Sequence, residues 1–385
     1  MTKLNCKIIK GYIEGFYGQI LSWQDRDRIL IKLKKSKMNS YLYAPKEDAF
    51  HRKNWRLPYK SQWAKEFKHF SKNANINKIQ ILFGISPGLD FNFNNLNVIN
   101  KKSDLFILFT KCKKILKMGA NHIVLLLDDI PNDFRIKYST NLTEGEAHAE
   151  LANKLSKMLK QTIFIVPRVY SDELIFESKN YLKDFCYNIN SNLTLFYCGK
   201  NIVEKNINEQ SLKKITNLTS NKIVLWDNFY ANDYCPRRLF VGPRKYPSYK
   251  INIMINPTGL IETDLIILEI VAKSIKNPSL KCWKNILVSN GVPKEFINLI
   301  KYFSTPNFTN KPNFKAVNYL EQDLKKLNVL LWQWNSKISI EWHPYLLGLK
   351  QDLQLCLGIL SDERIIKTQT NPLANLLLKH KEKKK

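Results

Sequence analysis

No run of apolar residues in this 385-residue chain approaches the roughly 18 that cross a bilayer, which excludes a membrane-spanning helix. The opening stretch, MTKLNCKIIKGYIEG, holds no apolar segment long enough for a secretory signal, so a cytoplasmic location is expected. Cysteine is sparse and unpatterned. Cys6, Cys112, Cys186, Cys198, Cys235, Cys282 and Cys356 form an odd set without a CxxC spacing, which argues against a disulfide framework and a zinc site and for reduced thiols. His51, His69, His122, His148, His343 and His380 carry no metal-ligand spacing, and His51 beside Arg52 and Trp55 reads as structural. GxGxxG and Gly-Lys-Ser/Thr patterns are missing, as are Gly-x-Ser-x-Gly and a Cys/His nucleophile arrangement. Neither a cofactor nor a metal is therefore expected.

Negative charge is also in short supply. With 61 Lys plus Arg against 33 Asp plus Glu, the net charge is +28, a balance that ordinarily points to nucleic acid. Here the basic residues are mostly lysines spread along an Asn- and Ile-rich chain, with no basic stripe interleaved with aromatics, so nucleic acid is not expected as a main partner. The basic run at 379–385 reads as a solvated end.

What is present is an ordinary globular composition, 44% hydrophobic and 24% charged. Short apolar runs predict strands at Lys7–Ile13, Asn39–Tyr43, Ile79–Ile85, Ile123–Leu127, Thr162–Val166, Leu193–Tyr197, Ile223–Trp226 and Ile251–Ile255. Amphipathic stretches fall between most of them: Trp23–Lys37, Ser61–Asn73, Ser103–Met118, Glu144–Lys160, Ser178–Ile189 and Glu209–Leu218. Ser22 to Asp25 resembles a capping box with Asp in place of Glu. Alternation of strand and helix implies parallel strands, and eight of them favour an α/β fold of the closed (β/α)8 type over an open doubly wound sheet. Beyond about Thr258 the pattern turns helical, over Leu260–Ile275, Trp283–Asn290, Pro293–Phe303, Phe314–Ser336 and Tyr345–Ser361. The expected organisation is a barrel over 1–275 and a smaller all-helical region with a basic tail over 276–385, with Asn277-Pro278-Ser279 as linker.

In a parallel barrel the site forms at the carboxyl ends of the strands. Polar groups gather there: Glu14, Lys46 to Asp48, Ser86 and Asp90, Asp128-Asp129, Arg168 and Tyr170, Asp227-Asn228 with Asn232-Asp233, and Asn256. Such endings suit a polyhydroxylated ligand, each of whose hydroxyls needs a partner once water is excluded. Asp128 and Asp129 follow directly on a buried strand. Like charges so placed push their proton affinities apart, leaving one ionised and the other inclined to keep its proton; the alternative is a solvated turn. The Trp226–Tyr234 segment, a tryptophan among carboxylates and amides, has the composition of a sugar subsite. The glycines of residues 11–18 read as a tight turn that brings backbone close to a ligand. Lys46 alone reads more readily as a surface lysine than as a ligand contact.

The motifs GYIEGFYG, NSYLYAPKEDAFHRKNWR, ISPGLDF, LLLDDI, WDNFYANDY, RLFVGP and the INP of residues 255–257, in that order, resemble glycoside hydrolase family 84, over roughly residues 8–258. That family comprises retaining β-N-acetylglucosaminidases, including protein O-GlcNAcases and bacterial hexosaminidases. The resemblance implies a (β/α)8 barrel and a substrate-assisted reaction, in which the 2-acetamido oxygen of a β-linked GlcNAc glycoconjugate attacks C1 and an oxazoline forms. It implies that Asp128 orients the acetamido group and that Asp129 is the acid and base. It also implies that Tyr170 contacts the acetamido group, that Gly11, Lys46, Asn228, Asp233 and Asn256 hold the sugar, and that Trp226 forms a wall. The chain departs from the family at Pro167-Arg168-Val169-Tyr170, where Pro-Thr-Glu-Tyr is common, at Tyr197-Cys198-Gly199, where Trp-Thr-Gly is common, and at Tyr230. Two other readings of the same pocket are a catalytically silent amino-sugar-binding protein and a hydrolase of cell-wall or hyaluronan-type polymers. The natural aglycone and the oligomeric state are not given by the sequence.

Overall fold

Eight short runs rich in β-branched and aromatic residues pair in parallel, each with the next, and the last pairs with the first. A computed structural model describes residues 8–96, 100–178, 180–208, 210–246, 251–276, 279–304 and 318–359. Strands β1 (Lys10–Glu14), β2 (Ser40–Tyr43), β3 (Gln80–Ile85), β4 (His122–Leu126), β5 (Phe164–Val166), β6 (Thr194–Tyr197), β7 (Lys222–Asp227) and β8 (Ile253–Ile255) form a closed barrel in chain order. All eight expected strands are present. Gly11 stands opposite both Ser40 of β2 and Met254 of β8, so it sits at the seam where the ring closes. The closed ring excludes the open doubly wound sheet.

Side chains alternate along each strand, and the alternation builds two apolar layers. Ile13, Leu42, Leu82, Val124, Leu126, Phe196, Val224 and Met254 fill the barrel interior. Their neighbours Tyr12, Tyr41, Ile81, Ile123, Leu125, Leu195, Leu225 and Ile253 face outward into a second core against the helices.

Those helices are α1 (Trp23–Lys35), α2 (Ser61–Ile76), α3 (Asp104–Lys117), the single turn α4 (Phe134–Lys137), α5 (Glu144–Leu159), α6 (Tyr181–Asn188), α7 (Lys213–Leu218) and α8 (Ile261–Ser274). Ser22 caps α1 as expected, accepting the Asp25 N–H at 3.0 Å. The shorter Asp25 carboxylate accepts the Ser22 hydroxyl at 2.7 Å. The full reciprocal box occurs instead at Thr143 and Glu146 of α5. Helix α7 is shorter than the expected Glu209–Leu218.

Four further helices follow the barrel: α9 (Leu280–Ser289), α10 (Lys294–Asn298), α11 (Asn318–Trp332) and α12 (Lys337–Cys356). Asn277, Pro278, Phe314 and the basic tail lie outside the described residues. The last helix begins eight residues before the expected Tyr345, because Ser336 and Ser339 form a capping box there and Pro344 is accommodated within the helix. Trp283, Phe296, Leu327, Trp342 and Leu346 join the barrel's outer apolar layer in one continuous cluster. Glu341 also caps α8 from outside, accepting the Glu262 and Thr263 N–H groups at 2.8 and 2.9 Å. No described helix is long and apolar enough to cross a membrane.

Candidate active site

A cavity of about 800 Å³ opens at the carboxyl ends of the strands. Strand alternation explains which side chains reach it. The inward series Ile13, Leu42, Leu126, Phe196, Val224 and Met254 continues two or four residues on to Gly15, Lys46, Asp128, Cys198, Asn228 and Asn256, all of which line the cavity. Asp129, Tyr170, Trp226 and Asp233 line it too.

Gly11 does not. It lies four residues before the mouth, where a β-carbon would fall 2.0 Å from the Ser40 carbonyl oxygen, so its role is close strand packing. Gly15 occupies the position at the cavity, and a β-carbon there would meet the Trp226 ring at 2.9 Å.

Several strand-end polar groups face the other way and are consumed by the scaffold. Glu14 is fully buried, paired with Arg26 through two hydrogen bonds of 2.9 and 2.8 Å, and accepts the Tyr41 hydroxyl. Asp48 accepts the hydroxyls of Tyr43 and Tyr59, and Asp90 accepts the Trp55 indole N–H. Asp227 holds Arg244 and Tyr246, and Arg168 holds Glu144 and donates to the Ser178 hydroxyl. His51 is buried against the Gly84 carbonyl, and burial pushes its pKa down to about 3, so the ring is neutral.

The two neighbouring aspartates point into one space for a specific reason. On a regular strand Asp129 would face away from Asp128. Its φ of +51° puts it in the left-handed region, which costs a non-glycine residue roughly 1–2 kcal/mol and breaks the alternation. Both carboxylates thus serve the same cavity.

Lys46 binds them together. Its ammonium lies 2.6 Å from Asp128 Oδ2 and 3.6 Å from Asp129 Oδ2 with only 3% of the side chain exposed, far from a surface lysine. Burial alone would lower its pKa, but the two carboxylates outweigh burial and raise it. Asp128 Oδ1 is buried and has no hydrogen-bond partner among the described residues.

Asp129 is embraced by donors. The Tyr17 hydroxyl donates to Oδ2 at 2.7 Å and the Tyr170 hydroxyl to Oδ1 at 3.0 Å. Burial would raise its pKa, yet Lys46, the two phenols and Arg52 together hold it below the usual carboxylate range. The expectation that one of the pair keeps its proton is therefore not met at Asp129, where the buried Lys46 ammonium offsets the repulsion between the two carboxylates. The Tyr170 hydroxyl, buried and beside that carboxylate, is pushed well above its ordinary value.

The far wall is an amide network. Trp226 Nε1 donates to Asn228 Oδ1 at 2.8 Å, and Asn256 Nδ2 donates to the same oxygen at 3.0 Å. Asn228 Nδ2 donates to the Ile202 carbonyl at 3.0 Å. Asn256 Oδ1 is a second buried acceptor with no partner among the described residues. Asp233 accepts the Tyr17 N–H at 3.0 Å and the Tyr234 N–H at 2.9 Å.

Of the sequence-derived candidates the structure brings together Lys46, Asp128, Asp129, Tyr170, Trp226, Asn228, Asp233 and Asn256, and leaves Gly11 outside. It adds Tyr17, Gly15, Cys198 and Tyr234. Tyr17 sat within the glycine-flanked turn but was read only for its backbone; its place after an inward-facing strand end was the available signal. Among the described residues no group of three or more His, Cys, Asp or Glu side chains could hold a metal ion.

A sequence model described as β-N-acetylglucosaminidase matches residues 10–280. Rat and mouse proteins named Protein O-GlcNAcase are each 27% identical over 283 residues, a match that takes in 70% of this chain and 30% of theirs. The chain thus spans less than a third of the length of these curated relatives. Among solved structures, a mutant O-GlcNAc hydrolase of Thermobaculum terrenum superposes with a TM-score of 0.75 at 23% identity, covering 90% of this chain and 81% of that one. The protein CpGH84B gives 0.73 at 21% identity, covering 91% and 69%. At such identities the superpositions speak for the fold, while the match over residues 10–280 runs through every strand that carries the site. This chain belongs to the β-N-acetylglucosaminidase family, glycoside hydrolase family 84.

Proposed function

We propose that the protein is a retaining exo-β-N-acetylglucosaminidase that removes terminal β-linked GlcNAc by substrate-assisted catalysis, with a glycosylated protein among its substrates. One observation carries the reading: Asp128 presents a buried oxygen with no hydrogen-bond partner among the described residues, beside a second carboxylate in a cavity of about 800 Å³. A buried acceptor without a donor is costly, and an acetamido N–H would satisfy it. With Lys46 closer to Asp128 than to Asp129, Asp128 is the carboxylate that orients the acetamido group and stabilises the charge that develops as the acetamido oxygen attacks C1. No protein nucleophile is then required.

Asp129 protonates the departing oxygen and, once deprotonated, activates the water that opens the oxazoline. Its low pKa in the open cavity is not in conflict with that role. A bound sugar displaces water from the carboxylate, and the added desolvation raises its proton affinity at the moment it must act as an acid. The Asn228–Asn256 network and Asp233 bind the ring hydroxyls and the acetyl group, and Trp226 closes the pocket. The names of the rodent relatives support protein-linked GlcNAc as the substrate class.

The test is hydrolysis of a chromogenic β-GlcNAc glycoside by the purified protein. Asp129→Ala is expected to lower turnover of a glycoside with a poor leaving group by at least about 10²-fold, with recovery on an activated one. Undiminished activity in that variant would refute the assignment.

A further inference from the structure

The cavity serves both carboxylates only because the backbone turns left-handed at Asp129, and one guanidinium sits on that turn. Arg52 Nη2 donates to the Asp129 carbonyl oxygen at 2.5 Å. Its Nη1 donates at 3.2 Å to the Tyr17 hydroxyl, which itself donates to Asp129 Oδ2. Arg52 is not among the residues lining the cavity. Its loop is fixed from beneath. The buried His51 ring meets the Gly84 carbonyl at 2.9 Å, the His51 N–H donates to the Asp48 carbonyl, and the His51 carbonyl accepts the Ser86 N–H, both at 3.0 Å.

We infer that Arg52 is a positioning residue for leaving-group protonation: it holds the left-handed turn at Asp129 and the Tyr17 phenol on that residue's carboxylate, without touching the sugar. The planar fork suits this task. Two donors in one fixed plane reach a peptide oxygen and a phenol oxygen together, whereas a lysine supplies a single point charge. With the guanidinium removed, the peptide relaxes toward extended geometry, and strand alternation then swings the Asp129 carboxylate away from the cavity. Asp128 and its bond to Lys46 are left as they were, so acetamido attack survives while proton delivery fails.

The inference rests on the proposed reading of Asp129 as the acid, and its test separates the two. Arg52→Gln and Arg52→Lys are compared with wild type on an alkyl β-GlcNAc glycoside and on a dinitrophenyl one. For Arg52→Gln, kcat on the alkyl glycoside is expected to fall by about 10²-fold, the scale a positioned acid supplies, with kcat on the dinitrophenyl glycoside and KM on both nearly unchanged. Arg52→Lys is expected to fall between. In an Asp129→Ala background Arg52→Gln should add little, because the two changes remove one function. Equal losses on the two glycosides, or no loss on the alkyl one, would overturn the role of Arg52. Should Arg52→Gln lack a cooperative thermal transition, Arg52→Lys decides by the same comparison. A wild-type protein that hydrolysed neither glycoside would overturn the activity reading, and the role of Arg52 with it.

Discussion

The phenols on Asp129 set when it can carry a proton. Each hydroxyl donates to the ionised form and so favours it, in the same direction as Lys46 and against burial. Tyr17→Phe removes one donor, and the pKa of Asp129 must rise. A higher pKa keeps the acid protonated to higher pH, so the basic limb of kcat/KM on an alkyl glycoside should move upward, read from a pH–rate profile. Lys46 was legible through its strand-end position and the family motif around it, but not through its residue type. Its letter resembles those of the lysines around it, and its inward position two residues beyond Ala44 together with the burial of its side chain makes it part of the site. The left-handed turn at Asp129 was invisible, because aspartate is compatible with several backbone conformations.

At the level of elements the sequence was far more legible. All eight strands and the closed barrel follow from apolar runs of the right length and their alternation with helices. What the runs alone did not separate was which strand-end polar groups serve the cavity and which serve the scaffold. The two-residue period does so on β1, β2, β4, β6, β7 and β8: Gly15, Lys46, Asp128, Cys198, Asn228 and Asn256 continue the inward series, while Glu14 and Asp227 continue the outward one into buried ion pairs. β5 departs from that rule, since Arg168 continues the inward count from Val166 yet turns out to pair with Glu144, after an intervening proline. The helical start of α12 was missed because Pro344 argues for a boundary that the upstream capping box overrides. That same helix supplies the cap of α8. Besides the two N–H groups, Glu341 accepts the Thr263 hydroxyl at 2.7 Å, and Trp342 Nε1 donates to that hydroxyl at 2.8 Å. Glu341→Ala should therefore cost about 1–2 kcal/mol, as lost helix caps do, measured by urea denaturation with the m-value unchanged.

Over the molecule as a whole, buried imidazoles make stability depend on acidity. His51 and His148 are fully buried and their pKa values are pushed down to about 3, by burial first and then by Lys46 and Arg168 respectively. Unfolded, each would bind a proton near its ordinary value of about 6.5. Between those limits the unfolded chain binds more protons, so each histidine subtracts stability as the pH falls from about 6.5 toward 3. His148→Gln should flatten that acid limb by about 1.4 kcal/mol per pH unit, visible in denaturation midpoints taken from pH 7 to 4.

The seam between β1 and β8 carries a consequence for how the protein comes into being. Gly11 finds Met254, and Tyr12 finds Ile255, across almost the whole length of the barrel sequence. A growing polypeptide must hold its first strand with one edge unpaired until the eighth has left the ribosome, and only then can the ring lock. Newly made copies are thus open to sticking together before the ring locks, and slowing translation only after the eighth strand has emerged from the ribosome is the intervention that should raise the soluble yield.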